Sequence, residues 1–215
     1  MKTSVGFVYL LPCLMLITLA NAQDFKSVQM GKQTWMTENL NVDTFQNGDP
    51  IPQAITEEEW MNAAEAKEPA WCYYKNDPAN GTRYGKLYNW YAVNDPRGLA
   101  PKGWHISSHK EWKELTDYLG GWKVSCAKLK NDEGWSNNGN GTNESGFSAL
   151  PGGRRSAYGK DSYIFKGIGT WGYWWTSTKY LNKTALTRSM HGNGTFQWLD
   201  WYKGEGMSVR CIKDK

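Results

Sequence analysis

Three kinds of residue in this chain could do chemistry: its histidines, its cysteines, and an asparagine-rich stretch followed by a run of aromatic rings. The 3 histidines are His105, His109 and His191. An i,i+4 pair on a helix plus a remote third His could hold a metal. Ser108 reads as the cap of a helix that starts after it, so His105 lies before the helix and the spacing loses its meaning. His105 is then a hydrogen-bonded structural residue and His109 an exposed first-turn side chain. Glu57-Glu58-Glu59 is a solvated helix start near a positive dipole end, not an acid–base pair. Nothing resembles a nucleophile elbow or a phosphate-cradling glycine loop.

The stretch 136–144 offers oxygen ligands. Asn137, Asn138, Asn140, Asn143 and Glu144 bring side-chain carbonyls and a carboxylate together, and Ca²⁺ wants six to eight oxygens. Asn140, Asn143 and Glu144 are the candidate Ca²⁺ ligands; Asn-Gly pairs are equally ordinary turn formers. Further on, Tyr173, Trp174, Trp175, Trp198, Trp201 and Tyr202 lie on alternating strands, so about half should face outward. Trp174, Trp175, Trp198, Trp201 and Tyr202, with Asn140 and Asn143, are candidates for a platform that stacks saccharide rings. The competing reading makes the rings core and sheet packing. Adjacent Trp174 and Trp175 must point to opposite faces. Arg154, Arg155, Arg188 and Arg210 could pair with acids or lie over the rings; none is diagnostic.

The elements that position these residues begin with a leader. Residues 1–22 combine Lys2, an apolar run from Val5 to Leu19, and Ala20-Asn21-Ala22 before Gln23, the signature of a secretory signal peptide. The run is too short for a membrane span, and Cys13, inside it and after Pro12, is not read as a lipid-anchor site. Residues 23–215 form one domain, with enough chain for a core. Thirteen Trp and 12 Tyr beside 6 Phe and 23 Gly make a core of amphipathic rings that each need a polar partner. The formal charge of +4 comes from scattered Lys and Arg, which speaks for solubility and against nucleic-acid binding.

Residues 25–37 alternate around Gly31-Lys32, a hairpin signal. Capping boxes at Thr56–Glu59 and Ser108–Glu111 announce two helices, the second presenting Trp112, Leu115 and Leu119 to the core and ending at Gly120-Gly121. Leu87–Val93 could form a third, shorter helix. Residues 135–155 are loop chemistry. Strands follow at 172–178, 183–191, 195–202 and 206–213, the last two reading as a hairpin around Lys203-Gly204-Glu205. The order defines an α+β fold: two or three helices, long Gly/Asn-rich loops and a small twisted antiparallel sheet.

Six phrases in order carry a resemblance: MGKQTWMTENL (30–40), WCYYKNDPANGTRYGKLYNWYAVNDP (71–96), LAPKGWHISSHKEWKEL (99–115), GTNESGFSALPGGRR (141–155), GYWWTST (172–178) and SVRC (208–211). Together they resemble the Fibrobacter succinogenes major paralogous domain, a family of exported bacterial domains related to the C-type-lectin-like and sulfatase-modifying-factor folds. The resemblance implies a C-type-lectin-like fold and leaves the activity open. Once the leader is removed, Cys72, Cys126 and Cys211 remain, an odd number in an oxidising compartment. Cys72 and Cys211 lie in family-like phrases and Cys126 does not, so the resemblance implies a Cys72–Cys211 disulfide with Cys126 free. Related formylglycine-generating enzymes use a copper-binding cysteine pair, for which these spacings offer no match. The Glu-Pro-Asn and Trp-Asn-Asp phrases of sugar-binding C-type lectins are missing, so their Ca²⁺-bridged sugar site is not carried over.

The expectation is an exported, non-catalytic binding or surface-display module, secreted or held at the bacterial cell surface. Its partner would be a polysaccharide or a cell-surface protein. An oxidase-type enzyme and a purely structural building block of a surface assembly are the alternatives.

Overall fold

In a computed structural model, the structure describes residues 25–158 and 164–215. Residues 1–22, which the sequence suggests as a signal peptide, and Cys13 among them lie outside the described residues. Strands β1 (Ser27–Met30) and β2 (Gln33–Met36) pair around Gly31, whose φ of 60° makes the tight turn, as the alternation predicts. Helix α1 (Glu57–Ala66) starts at the Thr56–Glu59 capping box and stops at Lys67 in the left-handed region. A two-stranded ribbon of β3 (Trp71–Cys72) and β4 (Leu87–Tyr88) flanks α2 (Pro78–Tyr84), which Asp77 caps. The short α3 (Trp90–Val93) follows, capped by Asn89.

Next come β5 (Trp104–Ile106), α4 (His109–Tyr118) and α5 (Trp122–Leu129). Both arms of the Ser108–Glu111 capping box are made, and Trp112, Leu115 and Leu119 are buried, as predicted. Gly120 and Gly121 take φ of 102° and 92°, ending α4 and turning the chain directly into α5. The sequence reading missed α2 and α5, so five α-helices stand among the described residues in place of the expected two or three. Helix α5 has no side-chain cap at its start, so no local signal announces it.

The C-terminal half holds β6 (Arg154–Arg155), β7 (Phe165–Lys166), β8 (Trp171–Lys179), β9 (Thr184–His191), β10 (Phe196–Tyr202), β11 (Ser208–Val209) and β12 (Cys211–Lys213). Two four-stranded sheets result, ordered β1-β2-β12-β5 and β10-β9-β8-β11, with β3-β4 and β6-β7 as smaller ribbons. The expected hairpin between 195–202 and 206–213 does not form. β10 pairs only with β9 at the sheet edge, while β11 joins the far side, parallel to β8. Nor is 206–213 one strand. It breaks at Arg210, and β12 enters the other sheet between β2 and β5.

The break has a physical cause. The Arg210 side chain is buried and donates to Asn39 Oδ1, Met36 O and Phe147 O. Asn39 Oδ1 also accepts the Trp174 indole N–H, so one guanidinium and one amide tie the two sheets to the long loop. Around them, Trp112 meets Trp35 edge-on at 4.9 Å and Phe147 at 5.3 Å. Trp175 points the other way and donates to Tyr88 O. Both neighbouring tryptophans are therefore buried, because the β8 sheet is covered on both faces.

The Cys72–Cys211 disulfide is not present. Cys72, Cys126 and Cys211 are all free and buried. Cys72 lies on the β3–β4 ribbon in a cluster with Trp60 and Leu87, and Cys211 on β12 in a different cluster with Ile106 and Val209. The two sulfurs are thus held by separate packing units. Burial pushes the Cys72 thiol up to about 11 and the Cys211 thiol up to about 12, which makes both poor nucleophiles.

Candidate functional site: an aromatic groove beside the edge strand

Cross-strand register places Trp198 on β10, Arg188 on β9 and Trp174 on β8 side by side, so their side chains share one face of the sheet. Helix α4 covers the Trp174 end of that row, where Trp112 and Trp174 rings lie 6.1 Å apart. At the edge strand the cover is incomplete. The first turn of α4 reaches Trp198, where the His109 ring meets the indole edge-on at 5.7 Å. Trp198 stays 51% exposed.

A cavity of about 560 Å³ opens here, lined by His109, Lys113, Thr116 and Asp117 of α4, Gly121 and Trp122 at the start of α5, Arg188, and Phe196, Gln197 and Trp198. Trp122 is 64% exposed, so two tryptophans stand at one concavity. Its volume falls within the roughly 300–1,000 Å³ of small-molecule sites. Lys113 and Asp117 pair at 2.7 Å. Burial and the Arg188 charge hold the His109 pKa below its usual value, so its ring is neutral near pH 7. Burial also pushes the Arg188 guanidinium down to about 10, which leaves it charged. A neutral imidazole, a cation and two flat rings can hold and orient a ligand; they contain no activated nucleophile.

The other predicted residues sit elsewhere. Trp174 and Trp175 are fully buried and serve the core. Trp201 is half-buried, its ring 4.2 Å from the Arg154 guanidinium carbon and edge-on to Tyr173 at 6.2 Å; Arg154 itself pairs with buried Glu205. Tyr202 is exposed four residues beyond Trp198 and does not line the groove. The asparagine loop contributes no wall of the Trp198 groove, contrary to the expectation that the two share a surface.

That loop is held by its own side chains. Asn140 Oδ1 accepts the Trp135 backbone N–H, and Asn143 bonds Ser148 and Asn131. Asn137, Asn138 and Asn143 take φ near 57°, 56° and 50°, the left-handed region asparagine tolerates. Glu144 lies 3.3 Å from Lys128. Buried Lys130 donates to the carbonyls of Gly139, His191 and Gly192, fastening the loop to the end of β9.

The histidines do not converge, and among the described residues no group of three or more His, Cys, Asp or Glu could hold a metal ion. His105 is the hydrogen-bonded structural residue expected, 2.7 Å from both Glu111 and Asp214. His109 is half-buried against Trp198, not the exposed side chain predicted. Trp122 was missed as a site residue. Its spacing to the buried Ser125, Cys126 and Leu129 reads as the hidden face of α5. It escapes burial because it begins the helix at the groove rim.

A second cavity, of about 390 Å³, is lined by Asn39, Arg83 and Arg210 among others. Its buried arginine already meets four backbone or amide contacts, so it is explained by the fold.

The architecture is that of a mixed α+β domain with an aromatic groove beside the edge strand of one sheet. The chain belongs to the Fibrobacter succinogenes major domain family, whose model matches residues 28–213. No curated protein and no solved structure matches it. Among the described residues no helix is long and apolar enough to cross a membrane.

Proposed function

We propose that this is an exported, C-type-lectin-like binding module that takes saccharide rings in the groove between α4, α5 and the β9–β10 edge. The observation that carries the reading is the pair Trp122 and Trp198, both more than half exposed at one cavity. Two exposed indoles at one concavity form a joint apolar patch, and such patches mark binding surfaces. An indole face offers a flat apolar surface to the C–H face of a pyranose, while Gln197, Thr116 and Asp117 supply hydrogen bonds at the margin. The leader-like residues 1–22 support export to the outside of the cell, where polysaccharide is the accessible partner. The buried thiols, with pKa values pushed up to about 11 and 12, weigh against the oxidase alternative, because copper and oxidative chemistry need accessible thiolates.

A glycan and polysaccharide screen of the secreted chain, with and without Ca²⁺, tests this directly. Trp198→Ala and Trp122→Ala should each abolish binding while shifting stability by no more than about 0.5 kcal/mol, the usual range for surface substitutions. Retained binding in both variants would place the site elsewhere.

A further inference from the structure

Arg188 is the groove residue that the fold satisfies least. It is 7% exposed, and a buried cation without a counter-ion is costly. Buried Arg210, Arg155 and Lys130 meet that cost by donating to several backbone carbonyls each. Arg188 makes a single long side-chain hydrogen bond, from Nη2 to His109 O at 3.4 Å, and its guanidinium carbon lies 5.9 Å from the Phe196 ring centre, at the outer limit of a cation–π contact. Its Nε has no partner, nor has Nδ1 of His109 beside it. The other charged side chains of the wall, Lys113 and Asp117, neutralise each other, so the net charge of the lining is that of Arg188. At the rim, Lys123 Nζ lies 5.7 Å from the Trp122 ring centre and adds a second positive group.

We propose that the groove selects acidic saccharides, uronate-bearing chains whose carboxylate neutralises Arg188 while Trp122 and Trp198 hold the sugar rings. The proposal rests on the reading of the groove as a saccharide site. A carboxylate suits a guanidinium, whose planar N–H fork it can engage with two oxygens. The partly desolvated surroundings strengthen that contact relative to water. A neutral sugar would leave the buried charge uncompensated, so discrimination should be large.

The test uses the unmodified secreted chain in calorimetric titrations with polygalacturonate, alginate and hyaluronan, each beside its methyl-esterified form. At least one acid form should bind tenfold or more tighter than its ester, about 1.4 kcal/mol, and weaken as salt rises. Trp198→Ala should lose both forms, Arg188→Gln should lose the preference for the acid, and Arg188→Lys, which keeps the charge but not the planar fork, should retain a weakened preference. Equal binding of acid and ester overturns the acidic selection and leaves the saccharide reading standing. Undiminished binding after both Trp122→Ala and Trp198→Ala overturns the groove itself. No binding to any polymer, acid or ester, overturns both. A folded Arg188→Gln chain that keeps full discrimination removes Arg188 from the assignment.

Discussion

The buried cations Lys86, Lys130, Arg155 and Arg210 are satisfied mainly by backbone carbonyls and aromatic faces and are consequently structural fastenings. Arg155 donates to Ala54 O and Thr56 O and lies 4.6 Å from the Trp60 ring centre. Lys86 donates to Asn41 and sits 4.3 Å from the Trp71 ring centre. Arg210 is the most connected of them. Replacing it with alanine strands Met36 O and Phe147 O in the interior, and each orphaned buried acceptor costs roughly 1–3 kcal/mol. Arg210→Ala should therefore lose about 3 kcal/mol or more in urea denaturation. A loss under about 1 kcal/mol would mean that water reaches those carbonyls. Arg188, with its single long bond, should be far more tolerant, and the contrast separates a fastening from a recognition residue.

The start of α4 is the element whose stability depends on both a cap and a proton. Ser108→Ala removes the bond to the Glu111 backbone N–H and should cost about 1 kcal/mol. Glu111 also accepts from Ser108 and reaches His105, which contacts Asp214 near the C-terminus. Burial disfavours the His105 imidazolium, but its hydrogen bonds to Glu111 and Asp214 outweigh this and raise its pKa above the ordinary value. A raised folded pKa gives stability that is complete below the unfolded pKa of about 6.5 and is lost as pH rises through the folded value. Glu111 behaves oppositely. Burial would raise its pKa, yet hydrogen bonds from Ser108 and His105 hold it low, so its contribution is present above about 4.3 and is lost in acid. The wild-type chain should weaken as pH climbs above 6.5, and His105→Gln should flatten that limb. Denaturation midpoints from pH 5 to 9 measure it; identical slopes would show that the bridge contributes nothing.

At the scale of the whole molecule, packing replaces covalent cross-linking. Cys72, Cys126 and Cys211 are each held inside an apolar cluster, and cores of stacked and edge-on rings join the two sheets. The folded chain should resist thiol reagents at Cys72 and Cys211, and all three cysteines should react once it is unfolded without reductant. Peptide mapping that finds Cys72 linked to Cys211 in the folded protein would contradict this arrangement. The disulfide expectation failed because phrase membership says nothing about which side of a strand a thiol occupies or which cluster it enters.

The sequence by itself determined the features that depend on bonds within a few residues: the β1–β2 turn at Gly31, both capping boxes, the buried face of α4 and the asparagine turns. It also carried the family, through phrases spread over most of the chain. Helix α2 was overlooked although Asp77-Pro78 is a regular cap and first-turn pair, and α5 had no such signal. Only the tertiary structure decided the order of the strands, the split of 206–213 at Arg210, and the burial of Trp174 and Trp175 beside an open Trp198. Local bonds are set by neighbours in the chain. A groove is set by the packing of distant elements, and Trp122, Arg188 and Trp198 line one cavity only because long-range pairing puts β10 at the sheet edge beside α4 and the start of α5.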